Sequence, residues 1–217
     1  MNTEALRTVA ATYGTPTYIF DVREVEARIR LLRSLLPEDT GLCFAVKANP
    51  FLIPYVADMV DRLEVCSPGE YEICIQEQIA PEKIVVSGVN KTYESMKRIL
   101  SYSKGAGIYT IESEEHAKIL RTLAEKNQMP LSVLIRLSSG NQFGVDAETF
   151  FRLAKEIQES PYLTLAGVHY YAGTQKRQSK LEKELDTLTA FAKTFEEETG
   201  TVLNELEYGA GMKVSYF

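Results

Sequence analysis

The sequence predicts an α/β protein built as a (β/α)8 TIM-like barrel, on three observations. Short apolar runs alternate with helical patterns along nearly the whole chain, the signature of parallel strands joined by crossover helices. Polar residues recur late in the strand candidates: Lys47, Glu64 with Cys66, Arg136, His169 with Tyr171, and Glu207 with Gly209 and Gly211. Their neighbours of opposite parity are apolar (Val46, Val65, Ile135, Val168 and Leu206), so one face of each strand meets helices. In a barrel the other face converges at the carboxyl ends of the strands on a single mouth. Third, no GxGxxG turn follows the first strand, which argues against a dinucleotide-binding sheet.

The elements follow in order. After YGTPTYIFD, Asp21 and Glu24 have capping-box spacing, and Val25, Ile29, Leu32 and Leu36 recur with helical period. LCFAVKA, RLEVCS, KIVVSG, GIYTIES, SVLIRL, AGVHYYAG and ELEYGAG are the strand candidates. Helices are expected near 54–59, 70–78, 93–102, 114–126, 147–158 and 180–198. A closed barrel needs an eighth strand. Either TYIF supplies it, or the barrel is truncated after about seven strands. The expected division is an N-terminal segment and strand over 1–22 and an incomplete barrel over 23–217.

A chain of 217 residues, 45% hydrophobic, is long enough for a large core, and its net charge of −6 argues against a nucleic-acid partner. The three cysteines, Cys43, Cys66 and Cys74, form no CxxC pair, so reduced thiols are expected rather than a disulfide or zinc scaffold. With no leader-like start and no apolar run long enough to span a bilayer, a cytoplasmic protein is expected. No metal site, GxSxG or P-loop is seen.

Lys47, in CFAVKANP, shares strand parity with the small residues Cys43 and Ala45. A buried lysine has a lowered pKa, and its neutral amine can form a Schiff base; the alternative is a lysine that reaches solvent or pairs with Glu64. YGAGM, 208–212, offers small residues whose backbone N–H groups can approach a phosphate, or plain turn punctuation. HYYAGTQ sets His169 and Tyr171 on one face, followed by Gly173 and the Thr174 hydroxyl, either as a stacking surface or as core. Arg136 is a second buried charge that can pair with a glutamate of a neighbouring strand. KRQSK (176–180) can attract a phosphate or carboxylate but reads rather as a solvated helix start, EEETG (196–200) as an exposed helix end, and His116 as a surface helix residue.

Taken together, YGTPTYIFD, FAVKANP, EVCSPGEYE, VSGVNKT, QFGVD, GVHYYAGTQ and LEYGAGM resemble, in order, the barrel domain of the fold-type III pyridoxal-phosphate decarboxylases, which include diaminopimelate and ornithine decarboxylases. The resemblance implies a barrel of the alanine racemase type and makes Lys47 the lysine that holds pyridoxal 5'-phosphate. Gly209 and Gly211 fall on the phosphate turn, with Ala210 for a usual glycine, and Thr174 falls on the serine facing the phosphate. Glu64, Glu70 and Arg136 fall on pocket-lining positions. The family's HIGSQ is YAGTQ here, which puts Tyr171 in place of the histidine that stacks on the ring, while His169 matches an earlier histidine of the diaminopimelate pattern. Gln142 stands where lysine is frequent. Substrate identity stays open between a diamino acid, with diaminopimelate the default, and carrier-bound or other amino acids. The resemblance further implies a homodimer, an EPGR-type eighth strand and a C-terminal β-domain, neither of which the sequence contains. A cofactor-binding barrel without catalysis and a racemase of the same fold are the alternatives.

Overall fold

The computed structural model describes residues 3–140 and 143–215. Seven parallel strands lie in sequential order, β1 (Cys43–Ala45), β2 (Arg62–Val65), β3 (Ile84–Val86), β4 (Ile108–Ile111), β5 (Leu131–Arg136), β6 (Leu163–Tyr171) and β7 (Glu205–Gly209). They are preceded by α1 (Thr3–Tyr13) and α2 (Val22–Leu35) and joined by α3 (Ile53–Val56), α4 (Pro68–Gln76), α5 (Tyr93–Ser103), α6 (Glu114–Asn127), α7 (Ala147–Gln158) and α8 (Gln178–Thr199). All seven anticipated strands form. Five helix starts have a side-chain cap: Asp21, Ser67, Thr92, Ser113 and Asp146 accept backbone N–H groups of the first turns of α2, α4, α5, α6 and α7.

Side-chain contacts show that the sheet is curled. Arg62 on β2 forms an ion pair with Glu205 on β7, and Glu64 on β2 lies 3.6 Å from His169 on β6. In a flat sheet β2 and β7 would stand about 24 Å apart at normal strand spacing. The sheet therefore bends these strands toward each other around a common interior.

Strand alternation builds two apolar layers. Leu63, Val65, Val86, Tyr109, Ile111, Val133, Ile135 and Val168 face outward against Met96, Leu100, Leu120, Phe150 and Phe195 of the helices. Val85, Ile108 and Leu134 face inward and, with Ala166, fill the floor of the half-barrel. A register shift between Val133 and Leu134 keeps β5 and β6 in phase on both sides. No helix among the described residues is long and apolar enough to cross a membrane.

Three expectations are corrected. Residues 17–20, one choice for an eighth strand, pair with no strand, and β1 and β7 remain the sheet edges. Residues 3–13 form the unanticipated α1, which carries Leu6, Val9, Ala10 and Tyr13 at helical spacing yet buries none of its side chains. Finally, β1 ends at Ala45, and Lys47 sits in a 3-10 turn over Val46–Ala48 instead of extending the strand.

Candidate active site at the carboxyl ends of the strands

Parallel register arranges the interior polar side chains in rows. Arg136 pairs with His169 and His169 with Glu207, while Tyr171 pairs with Gly209 one row nearer the mouth. A Cβ at Gly209 would lie 2.5 Å from Cδ2 of Tyr171, so glycine leaves the space into which the aromatic ring leans. Gly211 has φ of +58°, and a Cβ there would press into the carbonyl oxygen of Gly173. The two loops thus approach backbone to backbone, joined by the Lys176 N–H donating to the Gly211 carbonyl at 2.9 Å. Thr174 lies exposed between them.

Lys47 enters from the turn after β1. Its side chain is 53% exposed, where the strand reading expected burial. Asn49 N–H donates to the Val46 carbonyl and closes a 3-10 turn over Val46–Ala48, so the strand cannot run on, and Asn49, before Pro50, is extended again. Lys47 Nζ lies 3.9 Å from Glu64 Oε2, 3.6 Å from Cys66 Sγ and 5.7 Å from the centre of the Tyr171 ring. Burial pulls its pKa down, but the Glu64 carboxylate, with Cys66 and Tyr171, outweighs that effect and leaves it above the ordinary lysine value. The expected lowering is therefore reversed: Lys47 rests as an ammonium.

Glu64 couples the lysine to the interior. Burial raises its pKa, yet the His169 ring 3.6 Å away and the Lys47 charge prevail and hold it at about 2. Beyond it stands Glu207, whose burial and the facing Glu64 and Glu205 carboxylates push its pKa up to about 8. His169 Nδ1 and Glu207 Oε2 are buried without a hydrogen-bond partner. Glu64, His169 and Glu207 each offer a ligand atom within 4.8 Å of the others, a donor set able to hold a proton or a cation.

A second buried group adjoins the first through Arg136, the register partner of His169. Arg136 Nη1 approaches Glu112 Oε1 at 3.6 Å, and Lys91 Nζ approaches the same oxygen at 3.8 Å. That oxygen also accepts from Gly88 N at 2.7 Å. Arg136 thus pairs with a glutamate just beyond the neighbouring strand, as its buried charge requires, and its guanidinium packs 5.3 Å from the Phe143 ring. Burial lowers the pKa of Lys91 to about 8. Neither Lys91 nor Glu112 was singled out from the sequence: Lys91 stands in a loop, and only the shared parity of Thr110 and Glu112 hinted at an inward carboxylate.

Other residues change place. His116 is 7% exposed, not a surface residue, and its Nδ1 accepts the Glu112 backbone N–H at 3.4 Å. Lys176 is 4% exposed rather than solvated. Glu70 stands in the first turn of α4 and accepts the Cys66 N–H at 2.8 Å. The three cysteines are free, and 196–200 is exposed, as expected. Gln142 lies outside the described residues. A surface groove of about 350 Å³ between α6 and α7 is crossed by the Arg152–Glu114 ion pair and lies in the outer helical layer, away from the strand ends.

Fold and site together define a parallel β/α half-barrel with an amine, an aromatic face and a glycine-lined loop pair at one mouth. Residues 22–217 match the family described as pyridoxal-dependent decarboxylase, pyridoxal binding domain, and the chain belongs to that family, whose cofactor is pyridoxal phosphate. The diaminopimelate decarboxylase of Actinosynnema pretiosum subsp. auranticum is 32% identical over 227 residues, 96% of this chain and 50% of that protein. The diaminopimelate decarboxylase of Pseudomonas aeruginosa is 31% identical over 235 residues, 98% of this chain and 55% of that one. The chain spans about half the length of the curated relatives it matches. Among solved structures, AQ1208 from Aquifex aeolicus is similar with a TM-score of 0.84 at 24% identity, covering 97% of this chain and 52% of that one. The diaminopimelate decarboxylase of M. jannaschii in co-complex with L-lysine also gives 0.84, at 22% identity over 97% of this chain and 54% of that one. These two likenesses carry the fold.

Proposed function

We propose that this chain is the cofactor-binding half of an amino-acid decarboxylase, with Lys47 as the residue that holds pyridoxal phosphate. The observation that carries the reading is the convergence of Lys47 Nζ, 5.7 Å from the Tyr171 ring, with the close-packed Gly173 and Gly211 loops at one mouth. These residues fit the group: an amine for its aldehyde, an aromatic face for its ring, and the Thr174 hydroxyl with backbone N–H groups near Gly209 and Gly211 for its phosphate. When bound, pyridoxal phosphate supplies a conjugated ring able to accept the electron pair released as carbon dioxide leaves.

The chain's own residues hold and orient. Glu64 is the counter-ion that keeps Lys47 aimed across the mouth, and it orients His169 through Nε2. Tyr171, held against Gly209, would offer its aromatic face to the cofactor. Arg136, balanced by Glu112, presents positive charge to an anionic group in the interior. The substrate class we infer is an amino acid with a second amine, diaminopimelate first, because the two curated relatives at 32% and 31% identity are named for that activity. We further infer a cytoplasmic homodimer for the whole enzyme.

The test is the absorbance spectrum of the protein with pyridoxal phosphate before and after borohydride, beside Lys47→Ala. A reducible band in the wild type that is missing from the variant is the expected result. A band of equal size in both removes Lys47 from the role.

A further inference from the structure

Behind the mouth, Lys176, Glu184 and Tyr208 form a buried cluster that the reading above leaves unused. Lys176 Nζ lies 2.7 Å from Glu184 Oε2, which also accepts the Tyr208 hydroxyl at 2.7 Å. The same ammonium donates to the Gly209 carbonyl at 3.3 Å and sits 5.0 Å from the Tyr208 ring centre. Lys176 and Glu184 are 4% and 8% exposed. The backbone joins in: Lys176 N–H donates to the Gly211 carbonyl at 2.9 Å, and Lys213 N–H returns to the Lys176 carbonyl at 3.0 Å.

We infer that Lys176 is a positioning residue, a clasp that uses Glu184 of α8 and Tyr208 of β7 to hold the 173–176 and 209–213 loops in the spacing that receives the cofactor's phosphate. This rests on the proposed reading of Gly209 and Gly211 as the phosphate turn.

Three features separate a clasp from an ordinary buried ion pair. An isolated buried pair is often replaceable by apolar side chains at little cost, because desolvation offsets the attraction. Here the ammonium has a third partner, the Gly209 carbonyl, so it fixes the orientation of a peptide in the glycine turn itself. Its aliphatic stem fills the space beside Gly211, where a Cβ would come 3.1 Å from Lys176 Cε. The facing loop also needs holding. Gln175 has φ of +54°, a left-handed conformation that a non-glycine residue adopts at a cost of roughly 1 kcal/mol or more. Its side chain is tied across the gap by Val214 N–H at 3.1 Å. Since Lys176 and Glu184 cancel in charge, the clasp acts through geometry rather than by attracting the anion.

The experiment uses the 217-residue chain as wild type, as Lys176→Met with Glu184→Leu, as Lys176→Arg, and as Gly211→Ala. Removing both ions together avoids stranding a buried carboxylate, and thermal unfolding checks that each variant folds. Hydrogen exchange needs no ligand: the Lys176 and Lys213 amides of the double variant should exchange about tenfold faster, while those of β4 and β5 are unchanged. Affinities for pyridoxal phosphate and for pyridoxal, which lacks the phosphate, are then compared. The double variant should lose about tenfold toward the first with little change toward the second, and Lys176→Arg should retain most of the wild-type preference.

Unaltered exchange at Lys176 and Lys213 overturns the clasp. So does an equal loss for both ligands, which is the mark of a merely structural pair. If Gly211→Ala loses pyridoxal phosphate and the folded double variant does not, the clasp fails while the phosphate turn stands. If the wild type binds both ligands equally and Gly211→Ala changes neither, the phosphate turn itself is wrong and the clasp falls with it.

Discussion

Lys47 Nζ and Glu64 Oε2 lie 3.9 Å apart at the mouth of the half-barrel, and this spacing governs the lysine's resting charge. Glu64 stays ionised far below neutrality, so it favours the ammonium throughout the physiological range. Glu64→Gln removes that field and lowers the lysine pKa. Imine formation with pyridoxal phosphate should therefore begin at lower pH, its rate near pH 8 rising by up to about tenfold for each unit of pKa released. Stopped-flow absorbance across pH checks this, and identical profiles for the two proteins would remove Glu64 from control of the amine.

Gly211→Ala tests the loop contact directly. The residue combines φ of +58° with a Cβ position already filled by the Gly173 carbonyl. One of the two loops must move, at an expected cost of about 1–3 kcal/mol. Thermal unfolding should show a drop of several degrees, whereas Gly140→Ala, with φ of +85° but open space for a Cβ, should lose less. Equal losses would mean that backbone strain alone, without the loop contact, sets the cost.

The strands were legible because alternation survives even in short β-runs: Leu63 and Val65 face the helices while Arg62 and Glu64 face inward. The site residues on β2, β5, β6 and β7 were legible for the same reason. Lys47 does stand at the strand ends, but its environment was misread, because strand parity cannot foresee that the Asn49 N–H closes a turn onto Val46 just past Ala45. The Lys91–Glu112 pair and the Lys176 clasp were hidden for a different reason. Each joins residues from separate elements, 21 positions apart for Lys91 and Glu112, and the lateral pairing of neighbouring strands, β3 with β4 and β6 with β7, brings them together, which alternation within one strand does not reveal.

Glu112 anchors two buried cations. Glu112→Ala leaves Lys91 and Arg136 facing each other without their counter-ion, and should cost about 3–5 kcal/mol. The exposed Arg152–Glu114 pair, also close at 2.6 Å, should cost under about 1 kcal/mol when Glu114 is changed to alanine. Urea unfolding of the two variants compares them on one scale. Similar midpoints would show that the interior triad is as weakly coupled as a surface pair.

Glu207 and Glu64 face each other in the interior and depend on pH in opposite senses. The folded state raises Glu207 from the ordinary 4.5 to about 8, so between these values the folded chain holds a proton that the unfolded chain releases. Its contribution to stability is full below the lower value and is lost as pH rises through the upper one. Glu64 is lowered from 4.5 to about 2, so its contribution is present above 4.5 and lost as pH falls toward 2. Stability should therefore decline from about pH 5 to pH 9 through Glu207, at up to about 1.4 kcal/mol per unit of pH. Glu207→Gln keeps a neutral group of nearly the same shape, so it should flatten that slope and unfold at higher temperature than the wild type at pH 9, with little difference at pH 5. Melting temperatures at the two values decide the matter: parallel wild-type and variant curves would mean that Glu207 is already ionised in the folded chain, its charge balanced by Arg62 despite burial.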